Sequence, residues 1–414
     1  MIKMIRRQNY EIVLHSLKKE EITILVGARQ VGKTTLLREI FKELKNKGEK
    51  VLYLNLDIEG DAAQLNSQQT LINRIRLEFG DQPGFVCIDE IQQKEDAGRF
   101  LKGIFDMGTH HKFVVSGSGS LELKEKIGEA LTGRKHTIIM NPVNFAEFCD
   151  YKTNYKYSQR LELYFSVEQE KSAVMLDEYL QFGGYPKVVA TIDAKLKTEI
   201  MNEVFTSYIT KDISWLIGVR SPDKFVKMLK LLAAQSGGIL NYSQLASDTG
   251  VSLDTLKNYL WYAEETFVIS TVKPYFTNPI KELTKSPVIY FNDSGMLNYL
   301  MGHFAQVNNI SGFVFQNFIF NLLKTKYESP ISPINYWRTK DKAEVDFVIH
   351  HKGEAIPVEV KYSKLKNTNI SRSFRSYLGK YSPDRAMIVN LELDTTIEVD
   401  GTQIQFLPYW KLIC

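Results

Sequence analysis

Gly27-Ala28-Arg29-Gln30-Val31-Gly32-Lys33-Thr34 is a complete G-x-x-x-x-G-K-T run, and its flanks decide how it folds. The apolar run before it, Ile22-Thr23-Ile24-Leu25-Val26, is expected to be a buried strand. After it, Leu36, Leu37, Ile40, Phe41 and Leu44 recur at helical spacing, so the loop joins a strand to an amphipathic helix. That is the context of a phosphate-binding loop. Its glycines let successive N–H groups curl around an anion, and the helix N-terminus adds its positive end. Lys33 can reach β- and γ-phosphates, and the Thr34 hydroxyl can ligate Mg²⁺. The run predicts binding of a nucleoside triphosphate.

A second segment points to hydrolysis. Phe85-Val86-Cys87-Ile88 is continuously apolar, as a central parallel strand buried on both faces should be, and it ends in Asp89-Glu90. Carboxylates at that end of a strand face the crevice where nucleotides sit in open α/β sheets. Asp89 is then placed to hold Mg²⁺ and Glu90 to orient and polarise an attacking water; capping of the following helix is the structural alternative. Val51–Leu56, ending in Asp57, and Lys112–Val115, ending in Ser116-Gly117-Ser118-Gly119-Ser120, read as further strands of the same sheet. The hydroxyls at the second end can contact the γ-phosphate or the water, or simply form a Gly/Ser turn. Arg134 precedes a further strand, Thr137–Met140. It is a candidate for the cation that stabilises charge on a transferring phosphoryl group, with a solvated arginine as the alternative.

Composition narrows the class. The chain has 414 residues, enough for two or three domains, with 44% hydrophobic and 24% charged residues, as in a globular protein. No apolar stretch reaches the roughly 18 residues that span a bilayer, and no secretory apolar region is visible, so neither a membrane nor export is expected. Cys87, Cys149 and Cys414 are far apart, which suggests a reduced, cytoplasmic setting without disulfides or zinc. A net charge of +4 permits nucleic-acid contact without arguing for it. The pairs His110-His111 and His350-His351 lack metal-ligand spacing and are expected in loops.

Four consecutive domains are expected: an α/β unit over 1–145, a helical region over 146–235, a helix-turn-helix-like module over 236–305 and an α/β unit over 306–414. In the third, Ser243–Ala246 opens a helix, Gly250-Val251-Ser252 turns, and Leu256, Tyr259 and Leu260 stripe a second helix capped by Ser252. The runs Phe267–Ser270 and Val288–Phe291 could form its wing. Lys257 and Asn258 are the only DNA-reading side chains on offer, opposed by Asp254, Glu264 and Glu265, so a structural or partner-docking winged helix is expected ahead of DNA binding. The stretch Thr206–Ile213 shows no chemistry beyond packing.

From residue 312 the order is helix, three strands, helix, strand. Glu359 and Lys361 are two apart on a strand and share a face, and Asp346 on the preceding strand can join them. Two carboxylates and a lysine form a candidate Mg²⁺ site with a group to activate water, or else a cross-strand ion pair. This constellation resembles the restriction-endonuclease-like, PD-(D/E)XK nuclease fold, with Asp346 matching its aspartate and Glu359-Val360-Lys361 its E-x-K element. Gln316 stands where the first helix of that fold often carries a glutamate; an amide oxygen can coordinate Mg²⁺ but brings no charge.

The whole chain resembles the bacterial and archaeal ATP-binding proteins that join an N-terminal AAA domain to a C-terminal domain of unknown function. The resemblance rests on Gly27–Thr35, Cys87–Gln92, Ser116-Gly117-Ser118, Leu131–Arg134, Gly183–Pro186, Tyr290–Gly295, Glu344–Asp346 and Val358–Lys361. It implies ATP and Mg²⁺, with Gly27 through Thr35 at the nucleotide, Ser116 in the place called sensor 1, and Lys33, Glu90, Arg134 and Lys361 as catalytic candidates. Two functions follow as expectations. One is an AAA-type ATPase coupled to a nuclease-like domain acting on or binding DNA or RNA. The other is a nucleotide-controlled switch that docks a protein partner, with a C-terminal scaffold; self-assembly is open under both.

Overall fold

A computed structural model describes residues 4–117, 131–214, 222–276, 285–306, 310–329 and 331–413. The chain divides into two compact units, neither continuous in sequence. The first comprises residues 1–143, 202–220 and 261–268, and the second 144–201, 221–260 and 269–414.

The first unit is a five-stranded parallel sheet with helices packed on it. Its strands are β1 (Ile22–Val26), β2 (Val51–Asn55), β3 (Phe85–Asp89), β4 (Lys112–Ser116) and β5 (Lys135–Ile139), in the order β2-β3-β4-β1-β5. β1 and β4 are buried at every position, as their continuous apolar runs require. The order places β4 between the phosphate-loop strand and the Asp89 strand, with Leu25 paired to Ser116 and Ile88 to Val115. Three strand ends therefore meet at one edge of the sheet. Leu36, Leu37, Ile40 and Leu44 bury one face of the helix Lys33–Asn46. Gly27 is dictated by close approach, because a Cβ there would lie 2.1 Å from the Met140 carbonyl oxygen.

The second unit centres on an eight-stranded mixed sheet. Its strands are β6 (Ile269–Pro274), β7 (Val288–Phe291), β8 (Asn335–Arg338), β9 (Glu344–His351), β10 (Glu354–Val360), β11 (Arg385–Asn390), β12 (Thr395–Val399) and β13 (Thr402–Pro408), in the order β12-β13-β11-β10-β9-β8-β6-β7. The helices Gly312–Tyr327 and Arg372–Tyr381 are the two expected around β8–β10.

Several expectations need correction. The two wing runs do pair antiparallel, but β6 also pairs in parallel with β8, Lys273 opposite Asn335, so they are the edge of the large sheet. The β12–β13 hairpin was not foreseen, although its Asp400-Gly401 turn, both residues at positive φ, is a strong hairpin signal. His350 and His351 are the last residues of β9 rather than loop residues, because the strand runs on to a turn at Lys352-Gly353; the His350 ring lies 3.0 Å from the Asn335 side-chain oxygen. Where the helix-turn-helix is expected, helices Tyr242–Thr249 and Leu253–Glu265 flank a left-handed Gly250, and the Ser252 hydroxyl accepts from the Thr255 N–H. Lys257 and Asn258 are exposed on the second helix.

Candidate functional site

The phosphate loop turns from β1 into its helix through Gln30 and Gly32, both at positive φ. Lys33 is buried, and its ammonium donates to the carbonyls of Gly27 at 2.9 Å and Ala28 at 2.8 Å. Burial lowers its pKa to about 8, opposed by the nearby negative charge of Glu90 and Asp212. Thr34 is half-buried, whereas Thr35 points to solvent. Val31 is buried, and its carbonyl accepts from the Arg7 guanidinium at 2.6 Å; the same guanidinium reaches the Asn141 carbonyl at 2.6 Å. Arg7 thus ties the loop to the chain that leaves β5.

Asp89 is buried at the end of β3. The Ser116 hydroxyl donates to one of its oxygens, and the Tyr53 hydroxyl to the other at 2.8 Å. Arg38, from the helix after the loop, donates to the Tyr53 oxygen at 3.3 Å. Ser116 therefore orients the Asp89 carboxylate, a contact that follows from the inserted position of β4. Ser118 to Ser120 lie outside the described residues. Glu90 is half-buried at φ 57°, and the Gln92 side-chain amide donates to its carboxylate. A left-handed non-glycine residue at such a place is a strained one of the kind that gathers at functional sites.

Lys33, Asp89 and Glu90 are thus brought together, since the charges of both carboxylates act on the Lys33 ammonium. A hydroxyl at Thr34 and a fixed carboxylate at Asp89 are hard oxygen ligands that suit Mg²⁺. Arg134 is not brought to the loop. Its carbonyl accepts from the Ile22 N–H at 2.9 Å, at the start of β1, and its guanidinium pairs with Asp106 at 2.8 Å. In a parallel sheet that is the opposite edge, about 15 Å away at the usual rise of a five-residue strand. Within one chain Arg134 cannot reach the phosphates.

Sequence reasoning missed Tyr53 and Asp212. Tyr53 was read as one more strand residue; its position on β2, whose Asn55 pairs with Asp89, was the available signal. Asp212 lies in a π-helical turn, Tyr208–Ile213, and forms an ion pair with Arg29 at 2.5 Å. Burial raises the Asp212 pKa, and Arg29 opposes that rise.

In the second unit the β9–β10 ladder ends at Phe347 opposite Val358. The next donor, the Val360 N–H, goes to Asp346 Oδ2 at 2.7 Å, while Gln316 donates its amide N–H to Asp346 Oδ1 at 2.9 Å. Burial pushes Asp346 up to about 7, against the Val360 hydrogen bond. Glu359 pairs with Lys361 at 2.6 Å and accepts from the Ser371 hydroxyl at 3.1 Å. The Gln316 amide also donates to the Tyr290 hydroxyl at 3.1 Å. Gln316, Asp346, Glu359 and Lys361 therefore do form one neighbourhood. Among the described residues, no group of three or more His, Cys, Asp or Glu is placed to hold a metal ion.

Residues 19–149 match the family model described as an AAA domain, while 174–307 and 311–412 match two models described as domains of unknown function, DUF8612 and DUF4143. With a P-loop and a parallel sheet in that segment, the first unit carries an AAA-type P-loop domain. An uncharacterized protein of Haemophilus influenzae is 24% identical over 422 residues, 99% of each chain. One of Methanocaldococcus jannaschii is 24% identical over 405 residues, 94% of this chain and 88% of its own. A structure titled replication initiator DnaA bound to AMPPCP and single-stranded DNA is 15% identical over 63% of this chain and 90% of its own, at a TM-score of 0.30. Among the described residues, no helix is long and apolar enough to cross a membrane.

Proposed function

We propose that the first unit binds ATP with Mg²⁺ at Gly27–Thr35 and hydrolyses it. The observation that carries this is the meeting of Lys33, Asp89 and Glu90 at one sheet edge, with Asp89 fixed by two hydroxyl donors. Thr34 and Asp89 would hold Mg²⁺, which neutralises phosphate charge when bound. The loop N–H groups and the Lys33 ammonium bind the β- and γ-phosphates. Glu90 orients a water for in-line attack on the γ-phosphorus; the bond to the β–γ bridging oxygen breaks, ADP leaves with that electron pair, and Glu90 takes the water proton. Turnover of ATP by the full chain tests this. Lys33→Ala should abolish tight ATP binding, and Glu90→Gln should bind ATP yet cease to turn it over. Normal turnover by Glu90→Gln would remove Glu90 from that role.

For the second unit we propose a restriction-endonuclease-like fold that binds nucleic acid. Its match to the E-x-K pattern and the joint placement of Asp346, Glu359 and Lys361 support this. The Gln316 bond to Asp346 favours a second reading, a unit that binds without cutting and is switched by nucleotide, because the expected third carboxylate is replaced by a donor. Incubation of single- and double-stranded DNA and RNA with Mg²⁺ or Mn²⁺, with and without ATP, separates the two. Cutting that disappears in Asp346→Ala supports the nuclease. No cutting in wild type, with cutting gained in Gln316→Glu, supports the binding unit.

A further inference from the structure

Hydrolysis of a triphosphate is accelerated by an arginine beside the γ-phosphate, in addition to Lys33 and Mg²⁺, and within one chain Arg134 stands at the wrong edge of the sheet to supply it. We propose that Arg29, inside the phosphate loop, is that arginine, and that Asp212, 183 residues downstream, is the residue that positions it. The inference rests on the ATP-site reading above and deepens it.

Asp212 takes the Nε hydrogen of Arg29 at 2.5 Å. Among the described residues, neither Nη group of Arg29 makes a hydrogen bond, so the outer fork of the guanidinium is left to donate elsewhere. A guanidinium held by one edge and open at the other is shaped for two phosphate oxygens. The pair is well placed for this. Its carboxylate is 7% exposed and its arginine 25%, so the anion is inside and the cation reaches toward solvent. Both charges act on the Lys33 ammonium, which marks the end of the site where the β- and γ-phosphates sit. A buried carboxylate without its cation is costly, so Asp212 constrains Arg29 strongly.

A neighbouring contact supports the same assignment independently. Gln30, next in the loop, donates its amide N–H to the Ser207 hydroxyl at 3.1 Å, from the same helical segment as Asp212. Its buried side-chain oxygen has no hydrogen-bond partner. An orphaned acceptor in a phosphate loop calls for a donor from outside the protein, such as a water in the shell of the bound nucleotide. Two successive loop side chains are thus fixed by one segment, with unused hydrogen-bonding capacity in both. The π-helical geometry of Tyr208–Ile213 is the kind of irregularity often kept at functional sites.

The test is the affinity of the full chain for ATP and for ADP, both with Mg²⁺, by titration calorimetry, together with kcat. Arg29→Met should lose the preference for ATP over ADP by about tenfold or more while ADP binding changes little. Arg29→Lys should recover part of the preference. Asp212→Asn, which keeps the shape and removes the charge, should shift the ATP-to-ADP ratio in the same direction, with kcat falling more than KM rises. Arg29→Met removes the partner of a buried carboxylate, so the Arg29→Met/Asp212→Asn protein guards against simple unfolding. It should be no worse than Arg29→Met alone. A wild-type ATP-to-ADP ratio in Arg29→Met, or a full Asp212→Asn effect persisting in the double variant, would overturn the proposal while leaving the ATP site intact. A wild-type chain that binds neither nucleotide would overturn the ATP-site reading itself.

Discussion

Lys33 gives the sharpest prediction, because its buried ammonium titrates in an accessible range. Burial lowers its pKa to about 8 in the free protein. A bound triphosphate surrounds it with negative charge, and we take the bound value as restored to the ordinary 10.5. The sign follows directly. A group with a higher pKa in the complex than in the free protein takes up a proton on binding wherever the free form is deprotonated. Affinity is therefore level below pH 8 and falls as pH rises through it. Between pH 7 and pH 9.5 the free ammonium goes from about 90% to about 3% protonated while the bound one stays mostly charged. Kd for ATP should then rise about 25-fold, or roughly 2 kcal/mol. The γ-phosphate is already ionised over this range and adds no slope. Calorimetry in two buffers of different ionisation enthalpy would count the proton directly. A Kd that stays level from pH 7 to pH 9.5 would mean that Lys33 is charged throughout and is not desolvated by its burial.

Two further outcomes follow from burial and close approach. Asp346, pushed up to about 7, is carried neutral in the folded state up to that pH, whereas its unfolded value lies near 3.9. Its contribution to stability is therefore present below the unfolded value and lost as pH rises toward 7. Asp346→Asn escapes that loss, so its stability relative to wild type should grow by roughly 2–3 kcal/mol between pH 5 and pH 8 in urea titrations; a constant difference would mean that Asp346 is ionised in the fold at both pH values. Gly27→Ala would place a methyl 2.1 Å from the Met140 carbonyl oxygen and should abolish ATP binding in the calorimeter, while Gly60→Ala, with open space around it, should bind as wild type does.

What the sequence disclosed follows from the range of the interactions involved. β1, β3 and β4 were legible because a strand buried on both faces must be continuously apolar, and Gly27–Thr34 because its chemistry lies within eight consecutive residues. Asp212 was not legible: its meaning depends on a contact with Arg29 across 183 residues, and on its own segment it is one acidic residue in an amphipathic run. For Arg134 the sequence leaves a catalytic and a solvated reading open, and polarity decides against the first within one chain. Arg134 precedes its strand, and in a parallel sheet the residues before strands lie at the edge away from the loop that follows β1. The β6–β7 pair was legible as two strands but not as the edge of the larger sheet, because an edge is defined by which strand pairs next, here β8.

Asp89 and Asp346 show why a buried carboxylate alone does not define a metal site. Both sit on strands and accept two hydrogen bonds. Asp89 is held by hydroxyls, from Ser116 and Tyr53, which can rotate their hydrogens away or be displaced. Asp346 is held by a backbone N–H and by an amide N–H, which cannot turn acceptor lone pairs toward the same centre without moving the chain or flipping Gln316. Its companion carboxylate, Glu359, is already paired with Lys361 and Ser371. A cation entering there must displace the Gln316 donor and break the Lys361 pair, whereas at Asp89 it needs only a turned hydroxyl. The same residue type is thus held by rotatable hydroxyls in the first unit and by fixed N–H donors in the second. A carboxylate at position 316 would shift that balance, because it would replace the Gln316 donor with an acceptor beside Asp346, and a divalent cation can draw both carboxyl groups into their ionised forms.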